Sequence, residues 1–308
     1  MRDYGAAGGK ARQRGRPAPI WRCYCEQALN GTSWRVRSAF STAPIALQVC
    51  TIMIWRALAT AVNQWQVEQW LEQESRLRAS IVVPSQNPQR AAAEIERWGD
   101  HPGFVQVVLP VRSDAPYGNL RYDPIYAAAT KHDLVVGIQY GGAPGHPSTP
   151  VGWATTFVEE YAGMAQVFQS QLMSLIAEGV FDRFPTLRIT LIESGFTWLP
   201  SLMWRIDKEW KGLRHNTPWV KRLPSAYMHD HVRVTTQPVD APPDPKQLRQ
   251  ILAQLDSDEM LLFASDYPHW HAADEQSPEP DHAWAMVVDD TLLHKILREN
   301  ARNWYRLP

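Results

Sequence analysis

The densest group of side chains able to do chemistry lies near the carboxyl terminus, in Ser265-Asp-Tyr-Pro-His269-Trp-His271. It follows the apolar run 261–264, so a carboxylate and two histidines come directly after a predicted strand. Asp and His are usual ligands of zinc and similar divalent ions. The two histidines are two residues apart, which places both on one side of an extended segment. Asp266 is therefore a candidate metal ligand and proton-transfer residue, and His269 and His271 are candidate substrate contacts.

Other apolar runs also end in a polar residue: Gln139, Glu193 and Gln237. Burying a carboxylate costs several kcal/mol unless it is paired or bound to a metal. Glu193 at the end of an apolar run therefore joins Asp266 as the leading functional pair, with Gln139 as a weaker neutral ligand. The structural alternative for each carboxylate is that it caps a helix or pairs with an arginine.

Two further candidate substrate contacts lie elsewhere in the chain. His146 belongs to a proline-containing loop, residues 143–156, that follows a predicted strand. Trp198 is one of 14 tryptophans, which predict core packing first and an aromatic pocket second. His229 and His231 precede a predicted strand at its opposite edge, so we do not expect them to be ligands.

Predicted strands and helices alternate from residue 58 onward. A helix over residues 58–74 precedes six strand-like runs, and Asn87 and Asp123 are expected to cap helices that begin at the following proline. Because no hairpin signal separates the runs, the pattern predicts a parallel sheet with helical crossovers. An open doubly wound sheet and a (β/α)8 barrel both satisfy it, and the absence of G-x-G-x-x-G after the first strand favours the barrel.

Composition narrows the class of protein. The 308 residues carry 31 Lys+Arg and 32 Asp+Glu, a formal net charge of -1, which argues against a nucleic-acid partner. Hydrophobic residues make up 44% of the chain, as in a globular protein. All three cysteines lie before residue 51, so we expect no disulfide framework in the main body and a cytoplasmic location.

Residues 1–57 differ from the rest because they are arginine-rich and poor in acidic residues. A poorly ordered basic tail and an organelle transit peptide both fit this composition. The apolar run 45–54 is too short to cross a bilayer, so no membrane partner is expected, and its periodicity does not separate a strand from a helix. We therefore divide the chain into an atypical segment, 1–57, and a barrel domain, 58–308.

The main body resembles the amidohydrolase-related family, the branch of metal-dependent barrels that includes aminocarboxymuconate-semialdehyde decarboxylase. The motifs that carry the resemblance are Ala79-Ser-Ile-Val-Val-Pro84, Gly179-Val-Phe-Asp-Arg-Phe-Pro185, Leu191-Ile-Glu-Ser-Gly195 and Ser265-Asp-Tyr-Pro-His269. The resemblance implies a (β/α)8 TIM-barrel-like metal-dependent hydrolase fold and one divalent metal, zinc or sometimes manganese. It also implies hydrolysis or non-oxidative decarboxylation, and we expect a small carboxylate or amide substrate, with an aromatic one among the candidates.

The family's metal site is only partly present in this sequence. Asp266 matches the family's last-strand aspartate, whereas Gln139 and Glu193 stand where the family has histidines. The H-x-H pair of the first strand has no counterpart, since the first 100 residues contain no histidine. The barrel is thus expected to be incomplete at its amino-terminal end. Two carboxylates suit Mg²⁺ or Mn²⁺ better than zinc.

Because the family's metal site is only partly present, the sequence leaves two functions open. The first is a metal-dependent hydrolase or carboxy-lyase that uses Asp266, and a homodimer is a possible assembly. The second is a catalytically impaired barrel that has lost the metal and binds a ligand or a protein partner. Metal-dependent turnover separates the two.

Overall fold

Six parallel strands form one sheet in the described part of the chain, and each pairs with the next along the sequence. This computed structural model describes residues 52–141, 146–147, 149–242, 244–265, 284 and 287–308. The runs predicted as strands from their apolar composition are all strands in the structure. They are β1 (Ala79–Val82), β2 (Phe104–Pro110), β3 (Val135–Gln139), β4 (Ile189–Ile192), β5 (Val232–Thr235) and β6 (Leu261–Leu262).

The order of the strands distinguishes the two closures that the sequence left open. A doubly wound sheet reverses its strand order at a switch point, so strands that are neighbours in sequence separate there. Here the spatial order β1 to β6 follows the chain without reversal, and all five pairings are parallel. Sequential parallel order is the arrangement of a (β/α)8 barrel wall.

Helices connect the strands as the alternation predicts. They are α1 (Ile52–Gln66), α2 (Pro88–Trp98), α3 (Asp123–Lys131), α4 (Phe157–Ala177), α5 (Val180–Arg183), α6 (Leu199–Leu213), α7 (Pro224–His231), α8 (Pro245–Gln254), α9 (Asp290–His294) and α10 (Asn300–Trp304). Helical turns Val67–Leu71 and Lys295–Glu299 extend α1 and join α9 to α10. Among the described residues, no helix has both the length and the apolar character that a bilayer crossing requires.

The two predicted helix caps differ in outcome. Asn87 caps α2, because its side-chain oxygen accepts the backbone N–H of Arg90 at 3.1 Å. The prediction that Asp123 caps α3 is wrong. Asp123 is the first residue of that helix, and its carboxylate accepts two hydrogen bonds from Arg183 at 3.0 and 2.9 Å. A contact 60 residues away therefore determines the role of this side chain.

The amino-terminal end of the described chain also departs from expectation. Helix α1 begins at Ile52, six residues before the predicted start, and its first three residues belong to the run 45–54. The remainder of that run, the three cysteines and the basic segment lie outside the described residues. The division at residue 57 and the absence of the first strand therefore stay predictions.

The sheet interior contains a small polar network. Gln106 in β2 donates to Ser80 in β1 at 2.9 Å and accepts the hydroxyl of Tyr305 at 2.7 Å. Tyr305 also contacts Thr190 in β4, so the carboxyl-terminal segment links β2 and β4, and Gln106 extends the network to β1. Gly137 in β3 has no side chain because the Gln106 amide occupies that space, 2.4 Å from where a Cβ would lie. This network fixes the strands whose far ends carry the candidate site.

Candidate active site at the carboxyl edge of the sheet

Gln139 and Glu193 lie on neighbouring strands at the carboxyl edge. Gln139 is the last residue of β3 and pairs with Ile192, and Glu193 follows Ile192 directly. Adjacent strands are about 4.8 Å apart, so the structure brings the backbones of these two predicted ligands to neighbouring positions at the same edge of the sheet. Their role as ligands stays a prediction.

The backbone at Glu193 is held in a left-handed conformation, with φ of 61°. Such a conformation costs a non-glycine residue free energy and is concentrated at functional sites. The backbone N–H of Glu193 donates to the Thr235 hydroxyl of β5 at 3.0 Å, which fixes the turn. The backbone at this strand end is therefore strained and held in place by the neighbouring strand.

A second carboxylate, which the sequence did not single out, lies over the same turn. Gly195 has φ of 62°, and a Cβ there would come 2.0 Å from an oxygen of Asp240. Asp240 is in the loop after β5. Although this residue is exposed, desolvation by neighbouring atoms raises the pKa of its carboxyl group. Asp240 therefore places a second carboxyl group beside the turn that follows Glu193.

A buried arginine, also missed from the sequence, lies two residues beyond β2. The Nη2 of Arg112 contacts Glu160 at 2.6 Å and the Tyr140 hydroxyl at 3.3 Å. Tyr140 follows Gln139, and its hydroxyl also donates to Glu160 at 3.2 Å. Desolvation raises the pKa of Tyr140 to about 12, so this phenol stays protonated at neutral pH. The cluster formed by Arg112, Tyr140 and Glu160 borders the predicted ligands and is named here the Arg112 cluster.

His146 and Trp198 both make contacts with neighbouring loops. The Nε2 atom of His146 is 3.0 Å from Asp114, so the loops that follow β2 and β3 are tied together. The indole N–H of Trp198 donates to the Ser194 carbonyl at 2.8 Å and holds the turn that follows Glu193. Both residues thus shape the carboxyl edge, and their contact with a substrate stays a prediction.

The described donors alone do not fit a resident metal. Among the residues that the structure describes, no group of three His, Cys, Asp or Glu side chains is arranged to hold a metal ion. Glu193 supplies one carboxylate and Gln139 one neutral amide, whereas a catalytic zinc takes about three protein ligands. Asp266, His269 and His271 lie outside the described residues. We therefore derive no step through a metal.

A cleft of about 550 Å³ lies at the opposite edge, where β4 and β5 begin. Its polar groups already have partners: His231 contacts the Leu187 carbonyl at 2.8 Å, and Tyr227 donates to Asp182 at 2.7 Å. Catalytic groups of barrels lie at the carboxyl ends of strands. The amino-terminal position of His231, directly before β5, agrees with its exclusion as a ligand.

The sequential parallel sheet, with polar groups at its carboxyl edge, is the arrangement of a (β/α)8 barrel. The chain belongs to the amidohydrolase family: the family model described as Amidohydrolase matches residues 39–307. The resemblance predicted from the sequence motifs and the barrel fold is thereby confirmed.

Known proteins similar to this chain are decarboxylases of aromatic acids. The chain is 26% identical to gamma-resorcylate decarboxylase of Rhodococcus jostii (strain RHA1) over 284 residues, covering 81% of this chain and 77% of that protein. It is 26% identical to the Polaromonas sp. (strain JS666) protein of the same name over 241 residues, 70% of this chain and 68% of that protein.

Two solved structures share the fold. The 5-carboxyvanillate decarboxylase from Sphingomonas paucimobilis aligns with a TM-score of 0.70 at 20% identity, covering 93% of this chain and 82% of that one. A dihydroxybenzoic acid decarboxylase from Polaromonas sp. JS666 aligns with a TM-score of 0.65 at 23% identity, covering 86% and 80%. The latter structure contains bound manganese and the inhibitor 2-nitroresorcinol.

Proposed function

We propose that this protein decarboxylates a small aromatic carboxylate without oxidation. The observation that carries the proposal is the 26% identity to gamma-resorcylate decarboxylase over 284 residues. This match covers 81% of this chain, so it includes most of the barrel. The buried arginine at the carboxyl edge supports it, because a guanidinium is suited to an anionic substrate.

The reaction sets the requirements for the site. A proton is added to the ring carbon that bears the carboxylate, the bond between that carbon and the carboxylate breaks, and the bonding electrons restore the aromatic ring as CO₂ leaves. The protein must therefore hold the carboxylate, keep the ring in place and deliver one proton. We assign proton transfer to Asp266, and ring and loop contacts to His146, Trp198, His269 and His271.

We further propose that Asp266, Glu193 and Gln139 hold one divalent metal. This set consists of oxygen donors, so it suits Mn²⁺ or Mg²⁺ better than the zinc that the family resemblance implies. The two described members lie on adjacent strands, which supports a shared site. A bound metal would supply positive charge to polarise a carboxylate.

The test combines elemental analysis with turnover of 2,6-dihydroxybenzoate, which is gamma-resorcylate. We expect about one divalent metal per chain and CO₂ release, with activity reduced about 100-fold or more in Asp266→Asn. Unchanged activity in that variant would overturn the role of Asp266. Hydrolysis of amides or lactones without CO₂ release would favour the hydrolase, and ligand binding without turnover would favour the impaired barrel.

The cellular setting is a proposal as well. The position of all cysteines before residue 51 and the balanced charge support a cytoplasmic protein with a small-molecule substrate and no nucleic-acid partner. A homodimer is proposed as its assembly. Light scattering of the full chain tests the assembly.

A further inference from the structure

The guanidinium of Arg112 is incompletely satisfied. Arg112 is 8% exposed, and its Nε atom is buried with no hydrogen-bond partner in the described part of the structure. A buried donor without an acceptor costs about as much as a lost hydrogen bond, and native proteins rarely leave one. The position of this donor at the carboxyl edge of the sheet therefore calls for an acceptor that comes from a ligand.

The protein's own acceptors occupy only one corner of the guanidinium. Glu160 and Tyr140 both contact Nη2. Glu160 uses a single oxygen, Oε1, for both Arg112 and Tyr140, so it does not form the two-oxygen fork that a guanidinium and a carboxylate prefer. The described contacts hold the arginine in place and leave Nε to another anion.

The backbone places this arginine beside the proposed reaction site. The N–H of Val111, the residue before Arg112, donates to the Gln139 carbonyl at 2.8 Å. On the next strand, the N–H of Tyr140 donates to the Ile192 carbonyl at 3.1 Å. Arg112, Gln139 and Glu193 thus come from three adjacent strand ends, within the width of one aromatic ring and its substituents.

We propose that Arg112 binds the carboxylate of the aromatic substrate, and that Glu160 and Tyr140 are positioning residues for it. The inference rests on the proposed function for the identity of the substrate class. The ligand chemistry is a planar aromatic monocarboxylate, whose two oxygens match the planar guanidinium. The Tyr140 hydroxyl accepts from Arg112 at 3.3 Å while it donates to Glu160 at 3.2 Å, so it helps to hold both side chains in place.

Calorimetric titration measures ligand affinity without turnover, so it tests the role of Arg112 separately from the proposed decarboxylation. The probes are benzoate, 2,6-dihydroxybenzoate and the neutral resorcinol, titrated into the full chain. We expect Arg112→Met to lower the affinity for both carboxylates about 10- to 100-fold, the range for hydrogen bonds to charged groups. The affinity for resorcinol should change less than twofold. Arg205→Met, which removes an arginine that is 75% exposed on α6, is the matched control and should leave all three affinities unchanged.

Two more variants keep the test independent of a folding defect. Arg112→Lys keeps the charge but lacks the planar fork, so we expect carboxylate binding to weaken about 10-fold with the thermal unfolding midpoint nearly unchanged. Glu160→Gln retains an acceptor of the same shape and removes a competing negative charge. Carboxylate affinity should then rise about threefold, whereas a merely structural Glu160 would give no increase.

The outcomes separate the two proposals. Carboxylate binding that survives Arg112→Met, or wild-type protein that binds neither carboxylate, overturns the role of Arg112. Binding that depends on Arg112 without CO₂ release supports that role and overturns the proposed decarboxylation. Dependence of carboxylate binding on Arg112, together with turnover, supports both.

Discussion

Replacing Glu193 separates backbone strain from chemistry at the strand end. Glu193 has φ of 61°, a conformation that glycine adopts without the steric cost of a Cβ. The backbone hydrogen bond from its N–H to Thr235 needs no side chain, so a glycine retains it. We therefore compare Glu193→Gly with Glu193→Ala, because both lose the carboxylate and only alanine keeps the strain.

The expected difference can be worked from two opposing contributions. The left-handed conformation costs a residue with a Cβ about 1–2 kcal/mol. Glycine gains more freedom in the unfolded chain, which offsets about 0.5–1 kcal/mol of that cost. Glu193→Gly should thus exceed Glu193→Ala in unfolding free energy by roughly 0.5–1 kcal/mol, or about 1–4 °C in unfolding midpoint. Both should lose decarboxylation to the same extent.

Asp256 provides the matched control. It is exposed beyond the end of α8 and has φ of 50°. Asp256→Gly should exceed Asp256→Ala in stability by a similar amount while activity stays at the wild-type level. Thermal unfolding and CO₂ release are measured on all four variants. A Glu193→Gly protein no more stable than Glu193→Ala would refute the strain, and full activity in either would refute the functional role of the carboxylate.

Two further predictions concern groups away from the site. Tyr305→Phe removes the hydroxyl that donates to Gln106 at 2.7 Å and leaves a fully buried amide oxygen without this donor. We therefore expect the free energy of unfolding in urea to fall by about 1–3 kcal/mol, with kcat unchanged. An unchanged midpoint would show that the network does not stabilise the sheet. Burial lowers the pKa of His231 below its ordinary 6.5, so the stability from its neutral form is present above pH 6.5 and is lost as the pH falls through the lowered value. His231→Asn retains a donor for the Leu187 carbonyl, and its urea midpoint should fall less than that of the wild type between pH 7 and pH 5; equal slopes would contradict this assignment.

The strands were predictable because each reads as a continuous apolar run with a clear stop. Pro84 and Pro110 end the first two runs, and the structure places β1 and β2 within about one residue of the predicted bounds. Strands of a parallel sheet are buried on both faces, so no polar alternation obscures them. The helix that starts at Ile52 was harder to locate, because a short apolar run of ambiguous period precedes it.

The site was only partly predictable, for a different reason. Gln139 and Glu193 stand out because a polar residue ends an apolar run. Arg112 and Asp240 lie in loops where charged residues are ordinary, so no local pattern distinguishes them. Arg112 is held by Glu160, which lies 48 residues later in the chain. Asp240 lies against Gly195, which lies 45 residues earlier. Contacts of this kind depend on strand order, which composition does not specify.

Gln139 and Glu193, which stand where the family resemblance implies histidines, change what the strand ends can do. Gln139 offers a neutral oxygen and Glu193 a charged one, so the described edge is richer in oxygen donors than the family pattern. Glu193 also carries a negative charge that a neutral histidine lacks, so a carboxylate bound beside it needs more positive charge from the protein. In our proposal that charge comes from Arg112, a buried arginine next to those strand ends whose Nε has no hydrogen-bond partner among the described residues. We therefore propose that the Arg112 cluster, and not the two strand-end residues, neutralises the carboxylate of the substrate.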